Sequence, residues 1–488
     1  MRLRPTPKAM STVFARRDLC CLCAAVFFFT ASPAPGPRKE STQQSSAAAR
    51  GLPPTVGWHS LPGTNIASVC PATAPHDYAF ADACAQTGYT VVGIAAYSGS
   101  IADTDTDRLV IWGGGHQDYG GNEVYALNLG DNPPSIVRLN NPTLPTNCYS
   151  NSGLCNGGPE PLEVIPKGCS GDLCFPNSRH TTNALAYVAH AHALLSWGGA
   201  PASQGGTFVP GLWSLDLPVL YQSYASNGRN PAKSVTRWTR KDLSSVIPRQ
   251  WLPAHDMIMA YDPVTHQIWN SDQYGLLAYD YDKHRGEQYA SFLEHDYRAA
   301  GAFDPDHNYL LIVGGGADNV RNSGWGYWDL KECRAKKSCS YHWITRAGNP
   351  PGCGEALDVQ LAPGIAYDPI WHVAVLWYGN AKASVYQDTV WLFNPDPKKS
   401  ALINALGITV IPPRQCAALN ARELGHAPHA TRDNTSSSDP ATISAARTVF
   451  KKFHYFPQLD LFAICYGYID CAVLRLRPAP GGPTSPPR

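Results

Sequence analysis

Charge is what this chain has least of. Asp, Glu, Lys and Arg make up 16% of its 488 residues and sum to a formal net charge of +1. That balance leaves no broad basic field for nucleic acid or for an anionic membrane surface. Helical periodicity is missing as well: no ten-residue stretch repeats its apolar residues in the pattern of an amphipathic helix. The apolar run near the start, Leu19 to Phe29, is about half the ~20 residues that a membrane span needs. No closely spaced CxxC pair follows Cys23, which excludes the usual thiolate zinc sites.

What is present is turn chemistry and cysteine. The chain has 42 Gly and 42 Pro, a supply that suits many short strands joined by tight turns. Arg2, Arg4, Lys8, Arg16 and Arg17 precede the short apolar run, which breaks at TASPAPG, so residues 1–34 read as an export signal. The Arg16-Arg17 pair also permits twin-arginine export. Residues 35–54 read as a disordered spacer, 55–478 as the folded domain and 479–488 as a Pro-rich tail. Of 15 cysteines, Cys20, Cys21 and Cys23 lie in the signal, and the rest fall into close neighbours. An even number of paired cysteines after a signal predicts disulfides and a secreted or periplasmic protein. The expected pairs are Cys70–Cys84, Cys148–Cys155, Cys169–Cys174, Cys333–Cys339 and Cys465–Cys471, with Cys353–Cys416 left over.

The stretch RLVIWGGGHQDYGGNEVYALNL, from Arg108, reads as two strands around a glycine-rich loop. Weaker copies begin at Leu194, Tyr309 and Val373. Each is preceded by another strand-like run: TVVGIAAYSG, TNALAYV, MIMAYDP, RAAGAFDPDH, PGIAYDP and FKKFHYFPQLD. Runs bearing Trp follow several of them. Four strands per unit, repeated about six times, predict an all-β fold, a β-propeller of six four-stranded blades. A seventh blade would have to lie between Ile136 and Pro176. TVGWHSLPG, at Thr55, resembles the missing fourth strand of the last blade and is expected to close the ring.

Glycines after the second strand, missing only in blade three (which has NSDQYG), and an aromatic in the third strand (Tyr125, Trp213, Trp328, Trp391) resemble kelch repeats, and the chain is similar in this respect to galactose-oxidase-like propellers. The resemblance implies copper-radical oxidation, but the Cys and Tyr motifs for that chemistry are missing. Polysaccharide lyases acting on uronate polymers form a second group with related propellers.

In a propeller, the loops between strands two and three share a face with the loops entering the next blade. That face gathers His116, Tyr119, Asn122, Arg179, His180, His255, His295, Tyr297, Arg298 and His454. Long segments entering blades two (Asn140–Asn177), five (Gly348–Leu361) and six (Pro412–Thr448) are expected on the same face, where loops on a rigid scaffold build binding sites. The proposed Cys353–Cys416 bridge ties the loops that flank blade five. For β-elimination, Arg179 and Arg298 would neutralise the uronate carboxylate. His116 or His180 would act as base, and Tyr297 or Tyr119 as acid. Asn122 and His255 would bind substrate. His295 and His454 are the candidate ligands of a divalent metal such as zinc or calcium.

Three functions are left open: a lyase of acidic polysaccharide, a non-catalytic propeller binding glycan or protein, and a metal-dependent oxidase or hydrolase. The expected partner is an acidic polysaccharide or other glycan, with no nucleic acid, no membrane after signal removal, and a monomeric chain. Asp262, Asp304 and Asp368, beside prolines, read as turn formers. His190, His192, His266 and His307 fall in turns on the opposite face and are set aside.

Overall fold

A computed structural model describes residues 51–70, 98–113, 122–142, 176, 179–199, 212–231, 238–241, 257–272, 275–291, 299–314, 324–346, 348–354, 363–378, 388–428, 449–465 and 469–480. All of them belong to one unit, Ser45–Arg488; the other unit, Met1–Gln44, lies outside the described residues.

Six antiparallel sheets of four strands make up this unit. The innermost strands are Gly99–Asp103, Leu185–Val188, Ile258–Asp262, Ala299–Asp304, Gly364–Asp368 and Phe453–Phe456, for blades one to six. Each touches the inner strand of the next blade, and the sixth returns to the first, so the sheets form a closed propeller. The N-terminal strand Gly57–Ser60 pairs with Ala472–Arg475 as the outer strand of blade six. Arg475, fully buried, holds this closure by donating to the carbonyls of Pro53 at 2.6 Å and Leu459 at 2.8 Å.

The apolar residues divide into six clusters, one for each seam between neighbouring blades. In the second strand of blade four, Leu310 and Ile312 pack toward blade three, whereas Leu311 and Val313 pack toward blade five. Successive strand residues point to opposite faces, and here both faces are covered. That is why these strands read as continuous apolar runs rather than alternating ones. Among the described residues, nine tryptophans are buried to below 2% exposure, and they fill the seams.

The structure corrects several expectations. The inner strand of blade one is GSIAD, Gly99–Asp103, not the more apolar TVVGIAAYSG before it. Its pairing with Arg108–Trp112 puts Asp103 at the turn, where the later blades have Asp262, Asp304 and Asp368. A ten-residue helix, Leu217–Ser226, follows the third strand of blade two. Asp216 caps it by accepting from the Val219 amide, and Pro218 stands in its first turn. A shorter helix, Leu330–Lys336, is capped in the same way by Asp329.

The fourth strand of blade five, Cys416–Leu419, comes after an inserted hairpin of Ala401–Ala405 and Ile408–Ile411. Cys416 therefore sits in a strand, not in a loop entering blade six. Its disulfide to Cys353 fastens the segment before blade five to that blade's own outer edge. Cys333–Cys339 and Cys465–Cys471 are also bridged as expected. Cys84, Cys148, Cys155, Cys169 and Cys174 lie outside the described residues. The bridges fit an oxidising compartment, and no helix among the described residues is long and apolar enough to cross a membrane.

Candidate functional site

The face that carries the turns between first and second strands is built on one repeated device. Buried Asp262, Asp304 and Asp368 accept from the amides two residues on, Val264, Asp306 and Ile370, at 2.9, 3.0 and 2.8 Å. Asp103 does the same for Asp105 at 3.3 Å. These carboxylates are turn formers, as their neighbouring prolines imply. Each turn then ends on a residue in the left-handed region: Asp107, His192, His266, Asn308, His372 and Asp460, with φ from 47 to 60°. Asp, Asn and His tolerate that conformation better than other side chains with a Cβ. Backbone geometry is thus one reason for histidines on this face.

Those residues also meet across the seams. Tyr187 of blade two donates to Asp105 of blade one at 2.6 Å, and His192 of blade two lies 2.9 Å from the same carboxylate. Tyr367 of blade five donates to Asp306 of blade four at 2.5 Å, and His372 reaches that carboxylate at 2.5 Å. Burial, with help from the neighbouring carboxylates, pushes both tyrosines well above the ordinary phenol range, so the hydroxyls remain donors. Between blades two and three the acid is replaced by His190. Its Nδ1 meets the Tyr261 hydroxyl at 2.7 Å, and its ring stacks on His266 with centroids 3.9 Å apart. Asp282, from the turn after the third strand of blade three, touches both imidazoles, at 2.8 and 3.2 Å.

Inside this rim lies a pocket of about 400 Å³ on the propeller axis, lined by residues from all six blades. Five blades put an aromatic at its mouth: Tyr187, Tyr261, Phe303, Tyr367 and Tyr455. Small residues such as Ala186, Ala260, Ala302 and Ala366 line it too and leave room between the inner strands. Lys451, from the short turn before the inner strand of blade six, reaches to the opposite side of the ring. Its ammonium donates to the carbonyls of Leu185, at 2.6 Å, and Met259. Both carbonyls stand at the beginning of their strands, far from the turn face, so Lys451 forms a floor. Burial lowers its pKa to about 7. A larger open groove of about 630 Å³ lies at the outer edge of blades three and four, around Tyr289 and Trp343. The described residues that line it come from these two blades.

Of the residues singled out from sequence, four are described. Arg179 is buried and donates to the Gly198 carbonyl at 3.2 Å. His180 follows it at the start of blade two. Next to them is Gly113, at the end of the second strand of blade one. The Thr181 side chain and the Arg179 carbonyl would lie 2.5 and 2.8 Å from a Cβ at that glycine. The end of the second strand of blade one and the start of blade two are thus brought together. Asn122, also buried, donates to the Pro176 carbonyl at 3.0 Å. His454 lines the axial pocket, and its Nε2 donates to the carbonyls of Ser100 and Lys451 at 2.9 and 3.1 Å. Burial, then the charge of Lys451, lower its pKa to about 4, so the ring is neutral. His116, Tyr119, His255, His295, Tyr297 and Arg298 lie outside the described residues.

Three of the rim histidines, His190, His192 and His266, are among those set aside on sequence grounds; His372, the tyrosines and the acids of the rim are not among the expected site residues. A signal for them existed: an aromatic two residues before proline recurs at Tyr261, Phe303, Tyr367 and Tyr455.

No family model and no curated protein matches the chain. Among solved structures it is similar to TolB from Acinetobacter baumannii, at 11% identity and a TM-score of 0.31, over 65% of this chain and 55% of that one. The fold rests on the six sheets themselves.

Proposed function

We propose that this propeller is an exported carbohydrate-binding protein that takes the terminal residue of an acidic glycan into its axial pocket. The observation that supports this reading is the pocket itself: about 400 Å³, ringed by five aromatic side chains and floored by one ammonium. Its volume falls at the small end of the usual ligand range. Aromatic faces offer stacking to the apolar side of a sugar ring. An ammonium has three donors; carbonyls of Leu185 and Met259 take two, and the third suits a uronate carboxylate. Lys451 is the only Lys or Arg among the described residues lining the pocket.

Calorimetric titration with methyl glucuronide against methyl glucoside tests it. The uronide should bind more tightly, with an affinity that falls as pH rises through about 7, where Lys451 loses its proton. Tyr367→Ala should weaken both sugars, and Lys451→Met should erase the preference between them. Failure of every sugar to bind at millimolar concentration would remove the proposal.

Cleavage of uronate polymers by β-elimination is a separate reading, which would use Arg179 and His180 at the start of blade two. A screen of the mature protein against uronate polysaccharides, followed by ultraviolet absorbance of unsaturated products, decides it. Silence across the set would leave binding alone.

A further inference from the structure

The seam between blades two and three differs from its two relatives in a way that points to a ligand. In the other two, one carboxylate receives a tyrosine and a histidine, and the cluster is self-sufficient. Here His190 occupies the acid's position, and Asp282 is brought in from a different turn to face both imidazoles. One ligand atom from each of His190, His266 and Asp282 lies within 4.8 Å of the others. The group is at the surface, so water could complete a coordination shell without a channel.

We propose that His190, His266 and Asp282 form a binding site for a divalent transition metal, with zinc as the ion of closest chemical fit. Two imidazoles and a carboxylate are borderline-to-hard donors that suit zinc better than calcium, which prefers oxygen alone. The two rings now stack with centroids 3.9 Å apart, so nitrogen atoms about 2 Å from one ion require the His266 ring to turn out of the stack and aim its Nδ1 at the ion. His190 would bind through Nε2, the atom now facing Asp282. Its ring proton then sits on Nδ1, where the Tyr261 oxygen, 2.7 Å away, accepts it. Such an outer partner fixes the tautomer and the ring plane of a metal-bound histidine. His266 would bind through Nδ1, now 3.2 Å from Asp282, and one Asp282 oxygen and water would complete the shell. This site is distinct from the expected ligands His295 and His454 and is independent of the glycan proposal.

The test is calorimetric titration of zinc chloride into the chelator-treated mature protein, repeated with cobalt(II) and read by visible absorbance. One ion per chain is expected at this site. His190→Gln combined with His266→Gln should abolish that binding step, and Asp282→Asn should weaken it at least tenfold. Tyr261→Phe should weaken it about tenfold, the usual cost of losing an outer-shell partner. His372→Gln, from the analogous cluster between blades four and five, should leave the titration unchanged. All four histidine and aspartate positions are at the surface, and unchanged thermal unfolding would verify that the variants fold. An unaltered zinc isotherm in the double variant, or no binding by the native protein, would overturn the proposal.

Discussion

The seam between blades one and two and the seam between blades two and three follow one template and diverge at the second residue after the inner strand. In the first that residue is Asp105; in the second it is His190. Asp105 gathers Tyr187 and His192 into a closed cluster. His190 leaves its seam without an acid of its own, and the cluster reaches out to Asp282 for one. A third seam, between blades three and four, abandons the device. There the inner strand carries Phe303 in place of tyrosine, and the matching turn residue is Val264, 82% exposed. Hydroxyl and acceptor disappear together. The seams thus differ at the rim, while the apolar clusters beneath all three are built alike.

If the seams differ only at the rim, their cores should respond equally to damage. Leu215 (seam one–two) and Leu310 (seam three–four) are both 0% exposed. Truncating either to alanine should cost about 2–5 kcal/mol, the range for buried leucine. The comparison breaks if denaturant unfolding finds one of them under about 1 kcal/mol. Such a value would mean that the rim, rather than the core, carries that seam.

At the rim the effects should be smaller and unequal. Asp306→Ala leaves the hydroxyl of Tyr367, a ring only 8% exposed, without its acceptor. A loss of about 2 kcal/mol is expected, since a hydrogen bond to a charged group contributes ~1.5–3. His372 adds little, because its side chain is 63% exposed and solvent screens the pair. Asp105→Ala should cost about 1 kcal/mol, because Tyr187 is only half-buried and water can replace the acceptor. Equal losses in the two variants would show that burial of the tyrosine does not set the strength of the seam.

How much of this was legible follows from the same contrast. Blade repeats are visible because each seam buries both sides of every strand, which leaves dense apolar runs separated by Gly and Pro. The closing strand around Trp58 could be read because a Trp-bearing run stood where no blade needed it. The inner strand of blade one was hidden because GSIAD is short and polar, and its position is fixed by pairing with Arg108–Trp112 rather than by composition. The helix at Leu217 had its cap and proline in plain view, but its apolar face is too weak for periodicity to reveal it. The rim was illegible for another reason. Tyr187 and Asp105 are 82 residues apart, and only the closed ring makes them neighbours.

A double-mutant cycle sharpens the comparison further. Phe303→Tyr alone should be neutral or slightly destabilising, because the added hydroxyl has no designated acceptor. Val264→Asp alone should change little at a surface site. Together they recreate the template of the neighbouring seams, and a favourable coupling of about 1 kcal/mol is expected in denaturant unfolding. Zero coupling would show that Tyr and Asp at these positions are not sufficient to form the contact.

A last contrast comes from protons, where rim and axis have opposite signs. His307 is held up to about 9, chiefly by its hydrogen bond to buried Asp304, with Asp396 on its other nitrogen. A folded pKa above the unfolded value of ~6.5 means that the proton stabilises the fold. That contribution is complete below about pH 6.5 and is lost as pH rises through about 9. Lys451 runs the other way. Burial lowers it to about 7, so the fold favours its neutral form, and stability from this group grows between about pH 7 and its unfolded value near 10.4. The native protein will show the two partly cancelling between pH 7 and 9. His307→Gln should therefore lose most relative to the native protein near pH 6 and least near pH 9.5. Lys451→Met should gain most at the acid end, where the buried charge it removes is costly. Parallel denaturation midpoints at both pH values in either variant would mean that the group concerned titrates in the fold as it does in the unfolded chain, despite the hydrogen bonds or burial that surround it.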